Sequence, residues 1–309
     1  MTLPRRLPTL RRLMVGALLA LAMTDSAELD AQSTLLRAGD VDRLPAKPAT
    51  ARIAYGSEPE QFGELRLPEG PGPFPVAVVV HGGCWVMRYA SITNSTALAD
   101  ALRDAGIATW NIEYRRADSP GGGWPNTFLD AAAATDHLRD VAKTYPLDLS
   151  RVITIGHSAG GHLAMWLAGA KRIPASSPLA RRDPLPLRGV VALAGIADLA
   201  DFRTYQQNSC GDVVDGLMGG DATQFPDRYA AGSPVSLFPL GVPQVQIVGT
   251  LDRVMPQRAR DAHATAARAS GDPFELIVVD GAGHHEVMSP RSSVWPHIEA
   301  TVKRLLAPR

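Results

Sequence analysis

At 309 residues the chain is longer than an ordinary domain, yet of a size that α/β folds often fill as one unit. Hydrophobic residues make up 45% and charged ones 20%, which excludes a disordered or fibrous chain and allows a large core. Its 31 basic residues balance 31 acidic ones, so the charge pattern gives no sign of a nucleic-acid surface or an acidic tail.

Arg5, Arg6, Arg11 and Arg12 precede an apolar run from Leu13 to Met23 that is too short to span a bilayer. A basic flank, a short apolar core and then small residues is the layout of a secretory signal peptide, expected over residues 1–31, with cleavage after Ala22 or Ala31. No Cys follows the run, so no lipid anchor is expected, and the reading is a secreted or periplasmic protein without a stable membrane anchor. A frayed N-terminal helix is the alternative. Export would put Cys84 and Cys210 where disulfides form. Two cysteines allow one intramolecular pair, the alternative being two unpaired thiols.

Residues 32–50 lack periodicity and read as a linker to a domain over 51–309. Arg52–Gly56 and Glu64–Leu67 predict two short strands. Val76–Val80 has no alternation, as expected of a central strand covered on both faces. A helix over Asn94–Ala105 and a strand over Ile107–Ile112 follow, then a helix from about Asn126 to Tyr145. Val152–Ile155, Val190–Ala194, Gln244–Gly249 and Glu275–Val279 are further strands, with helices at Leu163–Ala168, Pro256–Ser270 and Ser292–Leu306. Residues 196–240 carry no clean period and read as a small cap or lid excursion. Strands alternating with helices imply a mostly parallel central sheet with helices on both faces, an α/β fold.

The most informative stretch is Gly156-His157-Ser158-Ala159-Gly160, set between a strand and a helix. That is the context of a nucleophile elbow, in which glycines let a sharp turn present a serine. The competing reading is a glycine-rich turn with an ordinary Ser. A serine hydroxyl attacks poorly without a base. Gly281-Ala-Gly-His-His-Glu286, after the last strand, offers His284, preferred over His285 because it lies nearer the strand end. Asp252, just after the strand ending at Gly249, is the acid expected to orient His284. Asp198 is the rival acid, and Asp280 lies too close in sequence to His284 to reach it. The backbone N–H groups of Ala159, Gly83 and Cys84 are the candidate oxyanion donors. His81 would brace their loop, and Trp85 would form a pocket wall or else pack in the core. His157 and His162 take bland readings as the variable elbow position and a helix residue. His137, His263 and His297 fall on predicted helices without partners at metal-ligand spacing, so no metal is inferred. No phosphate loop or dinucleotide fingerprint is found, so no cofactor is expected either.

Taken together, His81-Gly-Gly-Cys-Trp85, Gly156-His-Ser-Ala-Gly160, Gly249-Thr-Leu-Asp252 and Gly283-His284 resemble the α/β-hydrolase fold. Within it the chain is similar to the HGG-motif esterases, near the feruloyl/acetyl-esterase-like group and the kynurenine formamidases, over about residues 50–307. One departure is Cys84, where hormone-sensitive-lipase-like relatives often carry a third Gly. The resemblance implies a serine hydrolase cleaving small-molecule carboxylic esters through an acyl-enzyme. Alternatives are an arylformamidase acting on N-formylkynurenine, which the leader-like N-terminus argues against, a short-peptide peptidase, and a non-catalytic ligand-binding homologue. The oligomeric state leaves no signal in the sequence.

Overall fold

The computed structural model describes residues 35–308, so the signal-peptide reading lies outside the described residues. Its frame is an eight-stranded sheet in the order β1-β2-β4-β3-β5-β6-β7-β8. The strands are β1 (Ala51–Ala54), β2 (Phe62–Arg66), β3 (Phe74–Val80), β4 (Ala108–Ile112), β5 (Leu147–His157), β6 (Val190–Leu193), β7 (Gln244–Gly249) and β8 (Phe274–Val279). Only β1 and β2 run antiparallel to their neighbours, and every pairing from β4 to β8 is parallel. The alternation of strand and helix therefore produced the mostly parallel sheet it predicts.

Helices cover both faces. Successive strand residues point to opposite sides, and Trp110 and Asn111 in β4 report each side in turn. The Trp110 indole donates to Ala134 O in α3 (Asn126–Asp136) at 2.8 Å. Asn111 faces α2 (Thr93–Asp104), accepting from Ser95 Oγ at 2.6 Å. The apolar run of β3 is buried from Val76 to Val80, which explains why it shows no alternation. A fifth helix in chain order, α5 (Ala159–Ala168), follows β5 and is buried almost all round. One side packs on the sheet, with Thr154 Oγ1 donating to Ala164 O at 2.9 Å. The other is roofed by α8 (Pro226–Gly232), whose Ala231 and Gly232 carbonyls accept from Trp166 Nε1 and His162 Nε2, each at 2.9 Å.

Three elements differ from expectation. The single helix expected over 126–145 divides at His137, with α4 (Leu138–Val141) completing it. It ends before Tyr145 because Pro146 disfavours helical backbone at the residue ahead of it. The segment 32–50 is not a free linker, since the compact unit begins at Leu36 and includes α1 (Ala38–Asp42). Val41 is buried in the core, and Lys47 N–H donates to Asp100 Oδ2 at 2.9 Å. Finally, 196–240 is no detached flap. Its helices α6 (Leu199–Arg203), α7 (Val214–Met218) and α8 bury Leu199, Phe202, Val214, Leu217 and Met218 in the main core. The closing elements are α9 (Gln257–Ala269) and α10 (Trp295–Leu306). No helix among the described residues is long and apolar enough to cross a membrane.

Cys84 and Cys210 form a disulfide, with Cα atoms 5.8 Å apart, which joins the loop after β3 to the 196–240 excursion. It closes a loop of 126 residues. On chain-entropy grounds, replacing both by Ser should lower unfolding free energy by about 4–5 kcal/mol. Urea titrations of the wild type and the double variant measure this; equal midpoints would show that the bridge contributes nothing.

Candidate active site

The turn after β5 shows why its glycines are there. Ser158 has φ 52°, a left-handed conformation uncommon for a residue with a side chain. A Cβ on Gly156 would collide with the Gly160 carbonyl, and one on Gly160 with the carbonyls of Val80 and His81. The strand and helix can therefore meet at this angle only with glycine on both sides of the serine. Ser158 N–H donates to Leu193 O in β6 at 2.8 Å, and Ser158 O accepts from His162 N at 3.0 Å, which anchors the strained residue at both ends.

The loops after β7 and β8 bring the next pair together. His284 Nδ1 donates to Asp252 Oδ2 at 2.8 Å. The second carboxylate oxygen of Asp252 accepts from the backbone N–H groups of Val254 (2.8 Å) and Met255 (2.9 Å). Burial would raise the Asp252 pKa, but the His284 imidazole and these N–H donors outweigh it and hold the carboxyl below its ordinary range. An imidazole whose Nδ1 proton is committed to a carboxylate keeps Nε2 as its basic nitrogen. The rival acids are engaged elsewhere. Asp198 caps α6, accepting from Ala200 and Asp201 N–H, and Asp280 accepts from Thr250 Oγ1 at 3.1 Å.

Ser158 and His284 line a common cavity of about 120 Å³, which Gly83, Cys84, Tyr89, Asn94 and Cys210 also border. No Ser158 side-chain hydrogen bond is formed among the described residues. Gly83 and Cys84 carry positive φ values of 96° and 53°, and their backbone N–H groups take no acceptor among the described residues. The Ala159 N–H opens α5, where the first amides have no partner within the helix. Their loop is braced from behind by His81, whose Nε2 meets Glu113 Oε1 at 2.7 Å and whose Nδ1 meets Gly82 O at 2.8 Å. Burial pushes the Glu113 pKa up, yet the charges and hydrogen bonds of His81, Arg116 and the Ile92 N–H bring it down to about 2.

Trp85 does not form a cavity wall. Its own φ of 54°, after that of Cys84, turns the ring inward against His162 and Phe202, at centroid distances of 5.2 and 6.0 Å. Its place in the core needed three-dimensional contacts that no local pattern encodes. His157 does more than its bland reading suggests. Its Nε2–H donates to His284 O at 2.9 Å, and its ring packs 4.6 Å from the His284 ring. Burial first, then the neighbouring imidazoles, drives its pKa well below the ordinary value, so it stays neutral beside His284. His285 also borders the cavity but makes no bond to Asp252.

Comparison with known proteins agrees with this architecture. A carbohydrate esterase from gut microbiota superposes with a TM-score of 0.71 at 20% identity, covering 84% of this chain and 96% of that one. Esterase B from Lactobacillus rhamnosis superposes with a TM-score of 0.70 at 17% identity, covering 96% and 95%. These likenesses establish the α/β-hydrolase fold. In sequence, a probable isoprenylcysteine alpha-carbonyl methylesterase of Arabidopsis thaliana is 31% identical over 113 residues, which is 36% of this chain and 23% of that protein. Neutral cholesterol ester hydrolase 1 of Pongo abelii is 31% identical over 155 residues, 47% of this chain and 36% of that protein. The matches thus span little more than a third, at most, of these relatives' own length. The BD-FAE family model matches residues 65–264, which take in the His81–Trp85 loop, the Ser158 turn and Asp252. Since that match covers well over half of the sequence, the chain belongs to the BD-FAE family.

Proposed function

We propose that the protein hydrolyses carboxylic esters through an acyl-enzyme formed on Ser158. The observation that carries this reading is that His284, 2.8 Å from Asp252, lines the same cavity as a serine held at positive φ. His284 Nε2 takes the Ser158 proton as Oγ bonds to the ester carbon, and the carbonyl electron pair moves to oxygen. The N–H groups of Gly83, Cys84 and Ala159 receive that oxyanion, a service worth about 3–4 kcal/mol per donor. The C–O bond to the alcohol then breaks, and the alcohol leaves with the proton from His284. Water, deprotonated by the same nitrogen, attacks the acyl-enzyme and frees the acid and Ser158. Asp252 holds His284 in the required tautomer and stabilises the imidazolium.

The relatives' names support esters over the formamide alternative, because they are methylesterases, a cholesterol ester hydrolase and carbohydrate or general esterases. Export remains part of the proposal, since an oxidising compartment suits a Cys84–Cys210 bridge. A hydrolysis panel of p-nitrophenyl esters, acetylated sugars, feruloyl esters and N-formylkynurenine tests the reading. Turnover of at least one ester class is expected; turnover of the formamide alone would overturn it.

A further inference from the structure

One wall of the cavity comes from outside the stretch that matches the family. Ala38, in α1, borders it alongside Ser158 and His284, whereas the family match begins at residue 65. A five-residue helix has no stability of its own, so its position depends on what holds it. Leu36 N–H donates to Glu286 Oε1 at 2.5 Å. The other oxygen of Glu286 accepts from the N–H of Gly283, next to His284, at 3.0 Å. At the opposite end Asp42 Oδ1 accepts from Asn94 Nδ2 at 2.8 Å, and Asn94 is itself a wall residue of the cavity. Between these anchors Val41 is 1% exposed, locked into the core. The strap thus ties the loop of the proposed base to the start of α2 and borders the cavity at Ala38.

We infer that the strap Leu36–Asp42 is a specificity element, which limits the length of the ester substituent that can lie beside Ser158. The inference rests on the esterase reading above. At about 120 Å³ the cavity is well below the roughly 300–1,000 Å³ of sites for drug-sized ligands. It suits a substituent of a few carbons. Ala at position 38 leaves that small space open at this wall, and a larger side chain there would take it up. The hydrogen bond from Asn94 to Asp42 keeps the strap down, so losing it should let longer substituents in.

The test uses the full chain with Ala38→Leu and Asp42→Ala, and two substrate series. One lengthens the acyl group of p-nitrophenyl esters from acetate to octanoate; the other lengthens the alcohol of acetate esters. One methylene in an apolar pocket changes kcat/KM about 10–200-fold. Ala38→Leu is therefore expected to lower the hexanoyl-to-acetyl ratio of kcat/KM at least tenfold, or the matching ratio in the alcohol series. Asp42→Ala should raise the same ratio. If both variants turn over acetate with both ratios unmoved, the strap sets no limit and the inference fails alone. If the wild type cleaves neither series nor any ester of the panel above, the esterase reading fails and takes the inference with it; if it cleaves only bulky panel esters such as the feruloyl ones, the inference fails alone.

Discussion

Ser158→Ala is expected to lower kcat about a million-fold while leaving KM nearly unchanged. The reasoning is chemical. Without Oγ no acyl-enzyme can form, and the catalysis that remains comes from oxyanion donors and substrate positioning alone. The substitution should leave the fold intact, because Ser158 already carries its positive φ with a Cβ in place and its backbone bonds to Leu193 and His162 survive. Asp252→Asn should cost about ten-thousand-fold, since the amide favours the wrong imidazole tautomer. Residues that act as one unit do not add, so the double variant should be no slower than Ser158→Ala. A fluorophosphonate probe should label the wild type and leave Ser158→Ala unlabelled. Retention of more than a hundredth of wild-type kcat in folded Ser158→Ala would remove Ser158 from the mechanism.

The second large effect is on stability, which should fall steeply between pH 6.5 and about 4. His162 is buried with Nε2 against Gly232 O, and burial drives its pKa down to about 4. His263, with Nδ1 2.9 Å from Gln246 Oε1, is likewise held at about 4 by burial. His285 is held at about 4 by burial and then by the neighbouring His284 charge, and His157 is displaced in the same direction. Each of these folded-state pKa values lies below that of the unfolded chain, near 6.5. Above that pH both states are neutral and nothing is lost. Below it the unfolded state binds protons that the folded state refuses, until the folded pKa is reached. For His162, His263 and His285, held at about 4, the displacement is worth about 3 kcal/mol each, and together they rival a total stability of about 5–15 kcal/mol.

The buried carboxylates push the same way, but in a lower window. Glu113, at about 2, and Asp252, also lowered, keep their contributions above the ordinary carboxylate range and lose them only as pH falls through their folded values. Urea midpoints at pH 7.5, 6, 5 and 4.5 separate the two groups. His162→Gln keeps an N–H that can serve Gly232 O but does not titrate, so it should flatten part of the slope. A midpoint that stays level from pH 6.5 to 4.5 would contradict the assignment.

What could be read from the residues alone divides by range. Short apolar runs such as Val76–Val80 and Val190–Leu193 reveal strands because burial on both faces demands unbroken hydrophobicity. Gly156 and Gly160 announce the Ser158 turn because a local clash enforces them. Asp252 and His284 stand out by their place just past strand ends, and their 2.8 Å contact follows from β7 and β8 being neighbours. Other features have no local signature. The bond from Leu36 to Glu286 spans 250 residues, and nothing in the sequence around Ala38 marks it as a cavity wall. Trp85 faces the core because of two successive positive φ values, a conformation that its residue type does not encode. The brace from His157 to the His284 carbonyl depends equally on the folded neighbourhood.

The Cys84–Cys210 bridge bears on how such a protein can be altered. The reactive turns and residues 196–240 sit on separate stretches of chain, and the helices of 196–240 already share the main core with the sheet. Here a covalent tie runs from an amide proposed to meet the oxyanion into the excursion itself. Swapping 196–240 for another protein's segment would therefore leave Cys84 unmatched unless the donor segment brought a thiol at the corresponding spot. Recombination at this place must carry its own cysteine.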